Sequence, residues 1–245
     1  MIWVRDQTGR FSERPHFEPD EIEAECERLV ADFCREKHSR SFQAPWRTED
    51  LITLLEQHAG KVDLYADLIS REGADVEGAT TFRRGQTPLV EIEATLAGNT
   101  RRENRLRTTL THECTHVVLH RAVWEMLWER QSAPSLLGPQ GGREHRGRCR
   151  RSTMLRAPGS DWMEWQAGYG SGAILMPRSD LNGAVENARR LLRLPDRVFQ
   201  GTPEEQTLAD HLVERYRVSR EAARVRLAVR RLTVPAAAAA QGDLL

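Results

Sequence analysis

Two histidines four residues apart, with a glutamate directly after the first, are the residues of this chain best suited to chemistry. They stand in His112-Glu113-Cys114-Thr115-His116, inside a run from Leu110 to Leu119 that reads as a helix. Residues four apart on a helix lie one above the other on the same face. The two imidazoles can therefore aim one nitrogen each at a common point, as zinc bonds of about 2.0–2.1 Å require. Glu113 lies a little way round the helix, too far to be the natural third ligand but well placed to touch a water on the metal. This is the spacing of a zinc-peptidase helix. The bland alternative is a chance match on an amphipathic helix.

A catalytic zinc usually has three protein ligands and one open position. The offsets at which metzincins carry a Gly and a third His hold Leu119 and Ala122 here, so that class fails. His120 falls one turn beyond His116, but ligation from the same straight helix would need the helix to bend around the ion. A helix-end or supporting role suits it better. The better third ligand is Glu164, in Asp161-Trp162-Met163-Glu164-Trp165-Gln166-Ala167. That segment runs on to Ala173-Ile174-Leu175-Met176-Pro177 and reads as a second helix ended by Pro177, since proline lacks an N–H and disfavours helical geometry before it. A glutamate on one helix facing a His pair on another makes the two-His-one-Glu site. Taken alone, Glu164 also reads as a surface glutamate between two tryptophans.

The pairing of Thr-His-Glu-x-x-His with a downstream Glu-x-Gln-Ala…Leu-Met-Pro segment resembles the ImmA/IrrE family of zinc metallopeptidases. The likeness covers residues 50–178 and, more faintly, the C-terminal helices. It implies an α+β fold: a mostly helical, zincin-like peptidase domain, with a small antiparallel sheet before the motif helix and helices after it. It also implies Zn2+ as the cofactor, His112, His116 and Glu164 as ligands and Glu113 as catalytic base. By the same resemblance the activity is zinc-dependent endopeptidase action, and the partner is a protein substrate, a helix-turn-helix repressor of transcription cut at a specific site. The chain departs from the family after Ala167, where the usual Asn-x-Phe-Ala becomes Gly168-Tyr169-Gly170-Ser171. Gly168, Gly170 and Gly172 each weaken this helix by roughly 0.8–1.0 kcal/mol against alanine, unless another element must approach closely there.

With 245 residues the chain has room for one catalytic domain with additions, or for two small domains. Lys plus Arg equals Asp plus Glu, 36 against 36, which argues against a globally basic nucleic-acid binder. Apolar runs fall short of the roughly 18 residues of a membrane span, and Met1-Ile2-Trp3-Val4-Arg5-Asp6 is not a secretory signal, so the expectation is a cytoplasmic protein. Cys26, Cys34, Cys114 and Cys149 show no C-x-x-C spacing and read as free thiols.

Periodicity divides the chain into a lead-in and helix over 1–47, a peptidase domain over 48–196, a helical pair over 197–234 and a low-complexity tail over 235–245. Residues 1–17 read as irregular. Ile22, Cys26, Leu29, Val30 and Phe33 have helical spacing between Glu18 and Lys37. Thr48 suits the N-cap of a short helix, and Tyr65, Leu68 and Ile69 suggest another. Thr80–Phe82 and Leu89–Glu93 read as strands joined by a turn, Val90 and Ile92 alternating with Glu91 and Glu93 as in a half-buried strand. The motif helix should begin near Arg102. This sheet is expected to wall the cleft, where an edge strand can pair with an extended peptide. Residues 131–160, rich in Pro and Gly, read as a long loop that hangs over the cleft.

Other residues carry weaker signals. Cys149 sits in Arg143-Glu144-His145-Arg146-Gly147-Arg148-Cys149-Arg150-Arg151, where positive charge should lower a thiol's pKa. A thiolate there is a possible regulatory cap on the zinc; a solvated charged loop is the plainer reading. Cys114 reads as a small buried hydrophobe. Trp162 and Trp165 should shield the metal. Tyr169 is a possible oxyanion donor, with Tyr65, His120 and His145 behind it. The helices over 203–232, with Arg220, Arg224, Arg226, Arg230 and Arg231 on the second, superficially suggest helix-turn-helix, but core-completing helices are commoner, and direct nucleic-acid binding is disfavoured. The rival function is a non-proteolytic regulatory or antitoxin-like binding protein, with a structural zinc site and C-terminal helices that contact DNA or a partner.

Overall fold

The computed structural model describes residues 2–6, 13–131, 144–150, 154 and 161–236. The remainder of the predicted 131–160 loop and the tail from 237 lie outside the described residues. The chain forms two compact units. One comprises Met1–Ile22 and Arg47–Ser171; the other comprises Glu23–Trp46 and Gly172–Leu245. The expected 48–196 span is thus divided between them.

In chain order the elements are β1 (Ile2–Arg5), β2 (Glu13–His16), α1 (Pro19–His38), α2 (Thr48–His58), β3 (Lys61–Ala66), α3 (Leu68–Glu72), β4 (Val76–Arg83), β5 (Leu89–Glu93) and α4 (Ala94–Ala97). A 3-10 turn (Thr100–Arg102) leads into α5 (Glu103–Thr115), which passes through a π-helical turn (His116–His120) into α6 (Arg121–Gln131). Then come β6 (Glu144–Arg150), α7 (Trp162–Leu175), α8 (Arg178–Leu192), α9 (Pro203–Tyr216) and α10 (Arg220–Val229). The architecture is α+β, as expected. No helix among the described residues is long and apolar enough to cross a membrane.

The first unit holds two sheets. β1 and β2 pair antiparallel, Ile2 opposite His16. The irregular lead-in expected over 1–17 is corrected by this hairpin, whose Arg14 guanidinium lies over the Trp162 ring; that contact is invisible in local sequence. The main sheet has the order β3-β5-β4-β6. β3 runs parallel to β5, while β4 is antiparallel to both β5 and β6. It is therefore a mixed sheet, where an antiparallel one was expected. β3 and β6 were missed; Tyr65 belongs to β3 and is not helical. β5 is not half-buried as expected, because Glu91 and Glu93 are buried along with Val90 and Ile92. Each glutamate has partners that make this tolerable. Glu91 accepts from Arg71 (2.7 Å) and Arg146 (2.6 Å). Glu93 accepts from the Leu68, Ile69 and Thr95 amides.

α5 is buried from Leu106 through Thr115, although few of those residues are apolar. Its threonines satisfy themselves on the helix: Thr108, Thr109, Thr111 and Thr115 each donate to the carbonyl four residues back. Thr48 is the first helical residue of α2 and not its cap; its hydroxyl donates to Glu103 Oε1 (2.6 Å). Phe82, Val123, Trp124, Leu127, Trp128, Trp162 and Met163 form an apolar cluster beside the motif helix.

In the second unit Ser219 caps α10 as its position suggested, and Thr202 caps α9. The arginines of α10 are engaged internally. Arg226, almost wholly buried, pairs with Glu23 and donates to the Met176 carbonyl. Arg224 pairs with Glu205 and Arg220 with Asp210.

Candidate metal centre

α5 and α7 bring the two distant stretches together. His112 Nε2 lies 3.1 Å from His116 Nε2 and 3.1 Å from Glu164 Oε2, and His116 Nε2 lies 3.2 Å from Glu164 Oε1. The helices reach this proximity through glycine. A Cβ on Gly170 would fall 2.4 Å from Thr115 Cγ2, so only glycine lets α7 pass this close to α5. Ser171 completes the contact, its Oγ 2.7 Å from Thr111 Oγ1.

Three ligand atoms on a zinc with bonds of about 2.0–2.2 Å at tetrahedral angles stand about 3.3–3.5 Å apart. The separation of the two imidazole nitrogens, and of each from its nearer Glu164 oxygen, is within a few tenths of an ångström of that. Two imidazole nitrogens facing one another beside a carboxylate are, moreover, lone pairs that a cation satisfies together. The residues fit a divalent metal. Among the described residues, a second group of ligand-type atoms, from His112, Glu113 and Cys149, also lies within 4.8 Å of one another.

The His116 side chain is held from behind. His116 Nδ1 lies 2.9 Å from His120 Nδ1, and His120 Nε2 lies 2.9 Å from Gln166 Oε1. One proton arrangement satisfies this chain of contacts. Gln166 Oε1 can only accept, so His120 carries its proton on Nε2 and offers a bare Nδ1. His116 then donates from Nδ1, which leaves its Nε2 lone pair aimed at the triad. The π-helical turn His116–His120 widens the helix where these rings meet, 5.0 Å between centroids. Trp162 packs edge-on against His120, centroids 5.8 Å apart. Burial pushes the His120 imidazole down to about 3, the neighbouring His116 adding to the effect and the bond to Gln166 opposing it.

Glu113 points toward the sheet. Thr80 Oγ1 donates to its Oε2 at 2.5 Å, while Oε1 is buried without a hydrogen-bond partner. A Cβ on Gly78 would stand 2.5 Å from that Oε1, so the glycine in β4 makes room for the carboxylate. Burial pushes the Glu113 carboxyl up to about 7, against the pull of His116 and the Thr80 hydrogen bond. Burial would also raise Glu164, but the two imidazoles beside it, His116 foremost and then His112, outweigh burial and hold that carboxyl well below the usual range.

The geometry thus assembles His112, His116, Glu164 and Glu113 and adds Thr80, His120 and Gln166. Of these additions only His120 carried a sequence signal, its offset from His116. One expectation is corrected. Cys149 lies on β6 and is wholly buried, not on a solvated loop; burial pushes its thiol well up, reinforced by Glu113 and Glu164, and the flanking arginines do not lower it. Alternation along the strand turns Arg148 and Arg150 to the opposite face. Tyr169 packs at a tilt against Trp165, centroids 5.5 Å apart. Compared with known proteins, the chain matches no family model, no curated protein and no solved structure.

Proposed function

We propose that this protein is a zinc-dependent endopeptidase with a zincin-like catalytic domain, His112, His116 and Glu164 holding the metal and Glu113 serving as general base. The observation that carries this reading is the convergence of two imidazole nitrogens, 3.1 Å apart, on a carboxylate whose two oxygens lie 3.1 and 3.2 Å from them, from two stretches of chain far apart in sequence. When bound there, a zinc ion supplies Lewis acidity, which acidifies a water and polarises a peptide carbonyl. Thr80 fixes the Glu113 carboxylate through Oε2, so that Oε1 is the atom available to take the water's proton and pass it to the leaving amine. Gln166 and His120 hold the His116 ring in the tautomer that ligation needs.

The substrate we propose, on the resemblance to ImmA/IrrE peptidases, is a helix-turn-helix repressor cut at a specific site in the cytoplasm. Incubating the zinc-loaded protein with such a repressor, with and without a chelator, tests this. Cleavage should vanish with the metal. It should also fall by roughly 10²–10⁴-fold in Glu113→Gln, which removes the base and leaves the ligands in place. Cleavage by Glu113→Gln at the native rate sinks the mechanism.

A second reading has one observation in its favour: enclosure. His112 and Glu113 are fully buried and His116 is 3% exposed, with Cys149 close by. A closed site is the mark of a structural metal in a binding protein. That reading expects metal-independent repressor binding and no cleavage.

A further inference from the structure

Among the described residues, the strand β6 is part of this enclosure. It is the end strand of the main sheet, so it can leave without breaking any ladder except its own with β4. Its inner-face residues run across the candidate metal centre. His145 stacks on Trp124 with 3.9 Å between ring centroids, Gly147 stands opposite Thr80, and Cys149 stands opposite Gly78. A Cβ on Gly147 would lie 4.0 Å from both Glu164 Oε1 and His116 Cε1. Cys149 Sγ lies within 4.8 Å of ligand-type atoms of His112 and Glu113. The backbone of β6 therefore crosses over the candidate ligands; a Cβ at 147 would just touch them, and a larger side chain there would project into them.

The outer face of the strand is gripped by carboxylates. Arg146 donates to Thr81 Oγ1 (2.6 Å), Glu91 Oε2 (2.6 Å) and Glu72 Oε1 (2.9 Å), and Arg148 also donates to Glu72. The Glu72 and Glu91 side chains are 13% and 9% exposed. Two sheltered acids on α3 and β5 thus read two arginines that flank a glycine.

An extended peptide adds to a sheet at a free edge, taking affinity from main-chain hydrogen bonds and specificity from pockets for alternate side chains. β6 does both, on the edge of β4, over the metal ligands. Resting on the peptidase reading, we propose that β6 is a resident occupant of the substrate groove, and that the peptide which replaces it is an extended segment with a small residue between two arginines held by Glu72 and Glu91. Hydrolysis then requires that β6 leave the edge of β4.

A reversible lock and a loosened strand test this in the full, zinc-loaded chain. Arg83 and Glu144 are partners at the ladder's end, half-exposed and outside the site. Antiparallel partners stand about 4.5–5.5 Å apart, within reach of a disulfide. Arg83→Cys with Glu144→Cys therefore locks β6 when oxidised, and the four native cysteines are buried. Arg146→Ala with Arg148→Ala loosens the strand and frees Glu72 and the Oε2 of Glu91, whose Oε1 stays with Arg71. The probe is a fluorescent peptide, Glu-His-Arg-Gly-Arg-Ser-Arg, followed by anisotropy for binding and by chromatography for cleavage. The loosened protein should bind the probe at least tenfold more tightly than the native protein. The locked form should bind it at least tenfold more weakly than its own reduced form, and a probe with alanine for the two central arginines should lose at least tenfold. Equal affinity in native, loosened and locked proteins, or no binding to any, overturns the proposal; equal affinity for the alanine probe overturns the arginine class. Lock-dependent binding without cleavage keeps the groove and removes the peptidase reading. Cleavage at one rate in locked and reduced forms keeps the peptidase reading and removes β6 as its occupant.

Discussion

Each side chain around the triad fails in its own way when removed. Glu164 spans both imidazoles with its two oxygens, so Glu164→Ala should purify without bound metal where the native protein and Glu113→Gln carry it. Elemental analysis of the three proteins side by side checks this, and a full metal complement in Glu164→Ala would remove Glu164 from the ligand set. His120 acts one step further back. Its Nδ1 accepts the proton that keeps His116 in the ligating tautomer. Loss of such an outer partner typically costs 10–100-fold in metal affinity. His120→Ala should show that loss in competition with a chromophoric chelator, and Gln166→Ala should show a smaller one. Unchanged affinity in both would mean that His120 and Gln166 only fill space. The motif made His112, Glu113 and His116 legible because helix geometry converts a four-residue spacing into a shared face. The partners Thr80 and Gln166 were not legible as such, since each meets its histidine or glutamate only across the fold.

At the scale of elements, the contact between α5 and α7 decides whether Glu164 reaches the histidines. α7 tolerates the propensity cost of glycine because Gly170 lies against Thr115. Gly170→Val should overpack this contact and lower stability by about 1–3 kcal/mol, measured by denaturant unfolding. Adding Thr115→Ala should recover part of the loss. No recovery would show that the two residues do not share the strain. The sequence showed that α7 was rich in glycine and that close approach was one reason for it; which helix approached, and at which glycine, followed only from the packing. β6 was hidden for a related reason. Its charged residues alternate as a strand should, but the acids that neutralise them, Glu72 and Glu91, stand on α3 and β5. Read locally, Arg146 and Arg148 were surface charge, and the segment passed for loop.

For the molecule as a whole, the proposed metal site would link binding to folding, because the unfolded chain does not hold His112, His116 and Glu164 together. At free zinc of 100 times its dissociation constant, binding stabilises the folded form by about 2.7 kcal/mol. Chelation should therefore lower the thermal unfolding midpoint of the native protein and leave that of Glu164→Ala where it was; an equal fall in both would trace the effect to something other than this site. The amino-acid sequence by itself determined the motif helix, the glutamate-bearing helix, the C-terminal helices with their Ser219 cap, and the α+β class. All of these rest on local periodicity, capping and spacing, which act within a few residues. Only the tertiary structure decided that the sheet is mixed, that Cys149 is buried, and that β6 lies across the ligands. Those features depend on strand register and on charge pairs between residues tens of positions apart, and no local pattern carries that information.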